Sequence, residues 1–230
     1  MEEDEVTPKK PFAWSYTALT GFENCPHRHW RTKVVKDIAD PPGDAALFGQ
    51  RAHKALENRV KDKTPLPESM KHYEPYCKRF EGVPGQVIVE HQIALTKQLK
   101  PTSWFAKDAW CRGVIDVGVV SGKKALMGDW KTGKRKPDSE QMMLFAGLGF
   151  IAYPQVKVID TTFIWLPDKK VDRETFRRED AADIWGTFLP RVKRMEMAYN
   201  DGPDAHPKKP SGLCNGYCPV KDCEFWKPRR

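Results

Sequence analysis

RGVIDVGVVSGKKALMGDWKTGK, residues 112–134, is the stretch whose reading decides the fold. Two β-branched, alternating runs flank Gly122-Lys123, and Gly at the first central position is what a two-residue type II′ hairpin turn requires. Pairing Ser121 with Lys124 sets Val119 against Leu126, Val117 against Gly128 and Asp116 against Asp129. Alternation places Lys131 on the side of both acids. Ile115, Val117, Val119, Leu126 and Trp130 then form the opposite, core-facing side. Directly opposed carboxylates destabilise a sheet, so this pair asks for a cation. Mg²⁺ takes one or two carboxylates and fills its other positions with water and phosphate oxygens. Beside such an ion, Lys131 is placed to orient an attacking water, share its proton or neutralise a scissile phosphate. The plainer alternative is a surface hairpin in which Lys131 merely offsets Asp129 and Asp116 sits in another register.

Outward from the hairpin, QVIVEHQIAL (86–95), WFAKDAW (104–110), and segments near 157–166 and 171–177 read as further strands, rich in β-branched and aromatic residues. Helical periods cover Ser15 to about Val35, Ala45–Val60 with Asp44 as N-cap, 67–80, Ser139 to about Tyr153, and about 180–199. Helices first, strands in the centre and helices last predict an α/β (α+β) chain, with a central mixed, largely antiparallel β-sheet flanked by helices. Residues 1–13 read as a disordered lead-in and 14–230 as a single domain, with a Cys-rich tail over 201–230.

The 230 residues carry a net charge of +8, and a pI of about 9.1 favours a polyanionic partner. The longest apolar run, MMLFAGLGFIAY (142–153), is too short to span a bilayer. The acidic start MEEDEVTPKK is no secretory signal. An intracellular, cytoplasmic protein with no membrane partner is expected. In that compartment the six cysteines read as thiols or metal ligands rather than disulfides.

GVID (113–116) followed by DWKTGK (129–134) resembles the second and third motifs of the PD-(D/E)XK nucleases, most closely their RecB-like branch. That branch includes AddB-type helicase-nuclease subunits and CRISPR-adaptation nucleases. Upstream, GQRAHKALE (49–57) resembles the branch's first motif, and QMMLF (141–145) its fourth, with Phe145 in place of a Tyr. The four lie in order across residues 49–145. On a helix, Gly49, His53 and Glu57 share one i, i+4 stripe, and Gly49 allows another backbone close approach.

The resemblance implies a restriction-endonuclease-like core and a Mg²⁺- or Mn²⁺-dependent deoxyribonuclease, more an exonuclease on single-stranded or duplex DNA ends than a site-specific endonuclease. It implies His53, Asp116, Asp129 and the Trp130 carbonyl as metal ligands, with Glu57 as a further one. Asp116, Asp129, Lys131 and Gln141 would be catalytic. Glu90 either matches a family acid or is a solvent-facing strand residue. His53 has the alternative of a hydrogen-bonded histidine beneath the sheet. Gln141 also fits a capping box begun by Asp138. Recombination, repair or CRISPR-type protein partners, in a prokaryotic or phage-infected cell, follow from the same resemblance. The alternative is a nuclease-like DNA-binding or assembly subunit with weak or vestigial cleavage.

Cys25 in FENCPHRHW (22–30) and Cys214, Cys218 and Cys223 in LCNGYCPVKDCEFW (213–226) resemble the 4Fe–4S staple of many RecB-like nucleases, which would fasten the tail to the N-terminal helix. A zinc site on the same ligands, free thiols, and a redox-sensing cluster stay open. Lys134, Arg135 and Lys136 are candidate phosphate contacts, or simply a solvated face. Phe145 is a candidate to stack on DNA or to pack.

Overall fold

The computed structural model of the chain describes residues 10–136 and 140–229. They fall into two compact units, one of the described residues within 42–186, the other of those within 1–41 and 187–230.

The first unit is built on a six-stranded sheet. Its strands are β1 (Gln86–Leu95), β2 (Pro101–Thr102), β3 (Cys111–Ser121), β4 (Lys124–Lys131), β5 (Val158–Trp165) and β6 (Lys170–Arg177). They lie in the order β2-β1-β3-β4-β5-β6. All pairings are antiparallel except β4–β5. A parallel neighbour needs a crossover, and a helix between β4 and β5 (Glu140–Ala152) supplies it. The β3–β4 hairpin has the register its turn dictates: Ser121 faces Lys124, Val119 faces Leu126 and Val117 faces Gly128. Positive φ falls on Gly122, at 55°, and not on Lys123, as a II′ turn demands.

Helices cover both sides of this sheet. A long helix (Asp44–Asp62) and a shorter one (Glu74–Glu81) bury Ala52, Leu56, Val60, Cys77 and Phe80 in one cluster with Val117, Val119 and Trp130. On the other side the crossover helix lies so close that a Cβ on Gly149 would fall 2.4 Å from the Met127 methyl. One cation gathers a carbonyl from its last turn and two from the loop that follows. Arg178 donates to the carbonyls of Phe150 at 3.0 Å, Tyr153 at 2.8 Å and Val156 at 2.7 Å. Hydrogen bonds to charged groups are the stronger class, and stranded acceptors carry a desolvation cost. Arg178→Ala is therefore expected to cost about 2–4 kcal/mol, read as a lower midpoint in urea unfolding.

Strict alternation fails at one place. Glu90 has φ 46°, and the β1–β3 ladder pairs Val89 with Val117 and His91 with Ile115 but skips Glu90 and Asp116. Before the break, Val89 packs into the cluster under the long helix. After it, His91 shares a 3.0 Å hydrogen bond with the Tyr153 hydroxyl, just beyond the crossover helix, and Gly113 abuts Leu148 of that helix. Ile115 is fully buried but lies outside the Val117–Trp130 cluster. Counting by twos through the break had put it on the wrong side.

Other expectations are corrected too. WFAKDAW is not a strand: successive turns, with Ala106 N–H on Ser103 C=O and Ala109 N–H on Ala106 C=O, both 3.1 Å, hold it as a loop. The N-cap of the long helix is Gly43, and Asp44 is its first residue, where a carboxylate suits the helix dipole. Residues 68–73 form a 3₁₀ turn ahead of the Glu74–Glu81 helix. The Asp138 and Ser139 capping expectation lies outside the described residues.

In the other unit the single helix expected from Ser15 to Val35 breaks at Cys25, which precedes Pro26 and is extended at φ −159°, ψ 101°. A residue before proline is pushed out of the helical region. Two helices result, Tyr16–Asn24 and Pro26–His29, followed by a π turn over Trp30–Val34. The tail joins them through protein contacts. Glu23 takes two 2.7 Å bonds from Arg191, its carbonyl accepts from Lys209 at 2.7 Å, and Arg31 meets Asp222 at 3.0 Å. Of the expected lead-in, residues 1–9 lie outside the described residues. Lys10 is tied down: its carbonyl accepts from the Tyr199 hydroxyl at 2.6 Å. No helix among the described residues is long and apolar enough to cross a membrane.

Candidate active site

Three elements of the sheet unit and the turn after β4 converge on one cleft of about 530 Å³. The Asp44–Asp62 helix brings His53, β1 brings Glu90 at its left-handed residue, and β3 brings Asp116. Gly49 lets that helix settle on the turn after β4, since a Cβ there would meet Thr132 Oγ1 at 2.9 Å. One donor atom each from His53, Glu90 and Asp116 lie within 4.8 Å of one another. His53 Nδ1 is 3.3 Å from Asp116 Oδ2, which also accepts the Trp130 N–H at 2.9 Å.

Asp129 and Lys131 on β4, with Gln141 from the crossover helix, make a closed ring beside this trio. Lys131 Nζ donates to Gln141 Oε1 at 2.7 Å, and Gln141 Nε2 donates to Asp129 Oδ1 at 3.1 Å. Lys131 Nζ also lies 2.8 Å from Asp129 Oδ2. That last contact is a charge pair off the hydrogen-bonding direction, because Asp129 Oδ2 is buried without a hydrogen-bond donor. The Lys131 ammonium sits 4.5 Å from the Phe163 ring centroid, a cation–π contact that fixes its position further.

Electrostatics here are unfavourable to the bare protein. Burial, and then the charge of Asp129, push the Asp116 carboxyl up to about 8. Burial raises Asp129 as well, against the opposing pull of Lys131, His53 and Gln141. Glu90 rises through burial and the nearby Glu57. Three acids brought into one partly dehydrated place are a donor set for a hard divalent cation. The added imidazole fits Mn²⁺ as well as Mg²⁺.

The expected residues are not all in one shell. His53 and Asp116 belong to the trio, but its third member is Glu90, which a period-two reading left undecided between site and solvent. Its being the one acid in QVIVEHQIAL (86–95) was the available signal. Asp129 is turned toward Lys131 and Gln141. Trp130 touches the site through its N–H. Glu57 lines the cleft while accepting from Lys54 at 2.7 Å. The DNA-contact expectations need correction at two residues. Phe145 is only 4% exposed and packs within the protein, so it offers no face to a base. Arg135 is engaged by Asp172, at 2.6–3.1 Å over three bonds. Lys134 and Lys136 are exposed.

The four candidate cluster cysteines all lie in the other unit. None is in a disulfide, and each is half-buried. Among the described residues, the His53–Glu90–Asp116 trio is the only group of three or more such donors gathered within 4.8 Å, so the thiols are not drawn together. Cys25 instead caps the Pro26–His29 helix, accepting from Arg28 N–H at 3.5 Å, and Cys214 accepts from Ser211 N–H at 3.5 Å. Cys218 is pushed up chiefly by burial, with Cys214 and Cys25 near enough to add to the effect.

No curated protein matches the chain significantly. The fold is shared with the crystal structure of SSO0001, at 15% identity and a TM-score of 0.53 over 97% of this chain and 91% of that one. A candidate exonuclease from Eubacterium rectale aligns at 13% identity and a TM-score of 0.44, over 81% of this chain and 82% of that one. A family model for the PD-(D/E)XK nuclease superfamily matches residues 13–110, a span that holds His53 and Glu90 and ends just before β3. Over that span, a little over two fifths of its length, the chain is similar to the PD-(D/E)XK nuclease superfamily.

Proposed function

We propose that this protein is a divalent-metal-dependent deoxyribonuclease of the RecB-like branch that degrades DNA from an end. The observation carrying this reading is the gathering of His53, Glu90 and Asp116 within 4.8 Å, beside a lysine locked to Asp129. His53, Asp116 and Glu90 would hold a Mg²⁺ or Mn²⁺ ion, with Asp129 held beside them by Lys131 and Gln141 and Glu57 at the margin of the cleft. When bound, such an ion lowers the pKa of a coordinated water and neutralises charge on a phosphoryl oxygen.

The chain's own residues do the rest. Gln141 and Asp129 hold the Lys131 ammonium in one place, where it orients the attacking water and offsets phosphate charge. A preorganised cation of this kind does not have to reorganise as charge develops. Lys134 and Lys136, both exposed, supply positive charge to the flanking backbone. A DNA-recombination or repair role, with a protein partner, belongs to the same reading.

Linear duplex labelled at its ends, compared with covalently closed circular DNA, tests the end requirement. With Mn²⁺ the linear substrate is expected to lose label and the circle to persist. Rapid internal nicking of the circle would overturn the exonuclease assignment. Metal-stimulated binding without any cleavage would make the protein a DNA-binding subunit instead.

Cys25, Cys214, Cys218 and Cys223 make up the second part of the proposal. Four unpaired thiols in one unit are a donor set for iron or zinc, although their sulfurs must still close on one another to bind either. Protein purified without oxygen is expected to carry metal and, with a 4Fe–4S cluster, visible absorption. Colourless protein lacking both iron and zinc would remove this part.

A further inference from the structure

Phe105 is 90% exposed. Nothing about its loop explains this as slack. Between β1 and β3 the chain makes ordered turns: Thr96 N–H donates to Lys100 C=O at 2.8 Å and Ala106 N–H to Ser103 C=O at 3.1 Å. The Thr102 hydroxyl donates to Asp108 at 2.9 Å, and Trp110 N–H to Leu95 C=O at 2.8 Å. Next to Phe105, Trp104 is held from two directions, its carbonyl accepting from Arg112 Nε at 2.9 Å and its ring lying 5.9 Å from the same guanidinium. A braced loop thus keeps a large apolar ring in water, against the hydrophobic drive to cover it.

The surroundings say what would cover it. Lys100 and Lys107 are exposed and in no ion pair with a described residue, and Arg112 adds a third positive charge. The one acid of the loop, Asp108, is taken by Thr102. An aromatic face ringed by cations matches a base and its phosphates, where stacking gives sequence-tolerant binding and lysines track the backbone. An apolar protein surface would leave those charges to be dehydrated without partners.

The position fits as well. The loop ends where β3 begins, and Asp116 lies five residues further along that strand, about 17 Å away at ~3.3 Å per residue. That span is about five base steps at ~3.4 Å per strand.

We propose that Phe105 is a base-stacking contact that grips the DNA strand a few nucleotides from the scissile phosphate, with Lys100, Lys107 and Arg112 on its backbone. This rests on the reading of the cleft as a DNA-cleaving site, but it is tested separately. Single-stranded oligonucleotides carrying 2-aminopurine at each of the first several positions are bound in EDTA, so that no cleavage is read. Phe105→Ala is expected to weaken binding about tenfold and to remove fluorescence quenching at one position, since stacking on an aromatic side chain contributes at that scale. Phe105→Trp should restore both. Hydrolysis of a p-nitrophenyl ester of thymidine 5′-phosphate, which has no neighbouring base to stack, should be unchanged by either substitution in Mn²⁺.

Phe105→Ala binding as tightly as the wild type would overturn the proposal. So would unchanged oligonucleotide binding accompanied by lost self-association in sedimentation, which would make the ring a protein contact. Quenching and its rescue with no Mn²⁺-dependent cleavage would support the stacking contact while overturning the nuclease reading.

Discussion

Asp129→Asn is expected to lower Mn²⁺-dependent DNA cleavage by on the order of 1000-fold or more, while leaving the protein folded. Loss of a residue that merely supports a metal ligand typically costs 10–100-fold, and Asp129 does more than support. It is the acid at the centre of the charge arrangement, 2.8 Å from Lys131 and hydrogen-bonded to Gln141 at 3.1 Å. Asparagine matches its shape and can still accept from Gln141, so packing is preserved. What disappears is the negative charge that holds Lys131 in register beside the proposed cation site. Lys131→Ala should approach the same loss through the other partner. Gln141→Ala should cost less, about 10–100-fold, because it only positions the pair. Initial rates on end-labelled DNA, beside circular dichroism and melting temperature, make the measurement. Wild-type activity in folded Asp129→Asn protein would reject the cleft as a nuclease site.

How much of this could be read from the sequence follows from the range of each interaction. The hairpin was legible because a two-residue turn with Gly122 leaves one register from Ser121–Lys124 to Val117–Gly128; beyond it Asp116 falls at the break opposite Glu90 and joins His53 instead of facing Asp129. The parallel β4–β5 pair was not, because it depends on where the crossover helix lands. Glu90 escaped because its left-handed φ breaks the alternation on which face assignment rests. Cys25 carried a readable signal in the proline after it, yet helical period outweighed that local rule. WFAKDAW has strand composition but lies at the sheet edge, where only Pro101 and Thr102 pair with β1. Composition there reflects apolar content, and the ladder had no partner to offer. The Arg135–Asp172 pair joins residues far apart in the chain, and no local pattern announces it. Phe145 is a different case. Motif position left it to stack on DNA or to pack, and its burial in the crossover helix selects packing.

Metal-free protein should lose stability as pH rises from 6.5 to 8.5, and Mn²⁺ should reverse the loss most strongly at the alkaline end. Unfolded, the Asp116 carboxyl ionises near 3.8; folded, it keeps its proton until about 8. Between those values the folded state binds the extra proton, so stability falls with rising pH. This contribution is complete below about pH 4 and gone above about 8. Over the 6.5–8.5 interval it amounts to about 2 kcal/mol, or roughly 5 °C in melting temperature for a chain of this size. Burial raises Asp129 and Glu90 in the same direction, so their contributions carry the same sign. His29 acts oppositely but at lower pH: burial, and then His206, hold it near 4 instead of 6.5, so its charging destabilises only as pH falls below 6.5. Starting the titration at 6.5 separates the two. Asp116→Asn retains an acceptor for the Trp130 N–H and removes the buried acid. Its melting temperature in EDTA should therefore change less with pH and exceed the wild type's at pH 8.5. Manganese competes with the proton for the same carboxylates, so its stabilisation of the wild type should grow with pH and be largely absent in the variant. Parallel slopes in the two proteins, with and without manganese, would mean that Asp116 is neither strained by its neighbours nor relieved by a cation. The repulsion built into the cleft would then have no part in binding one.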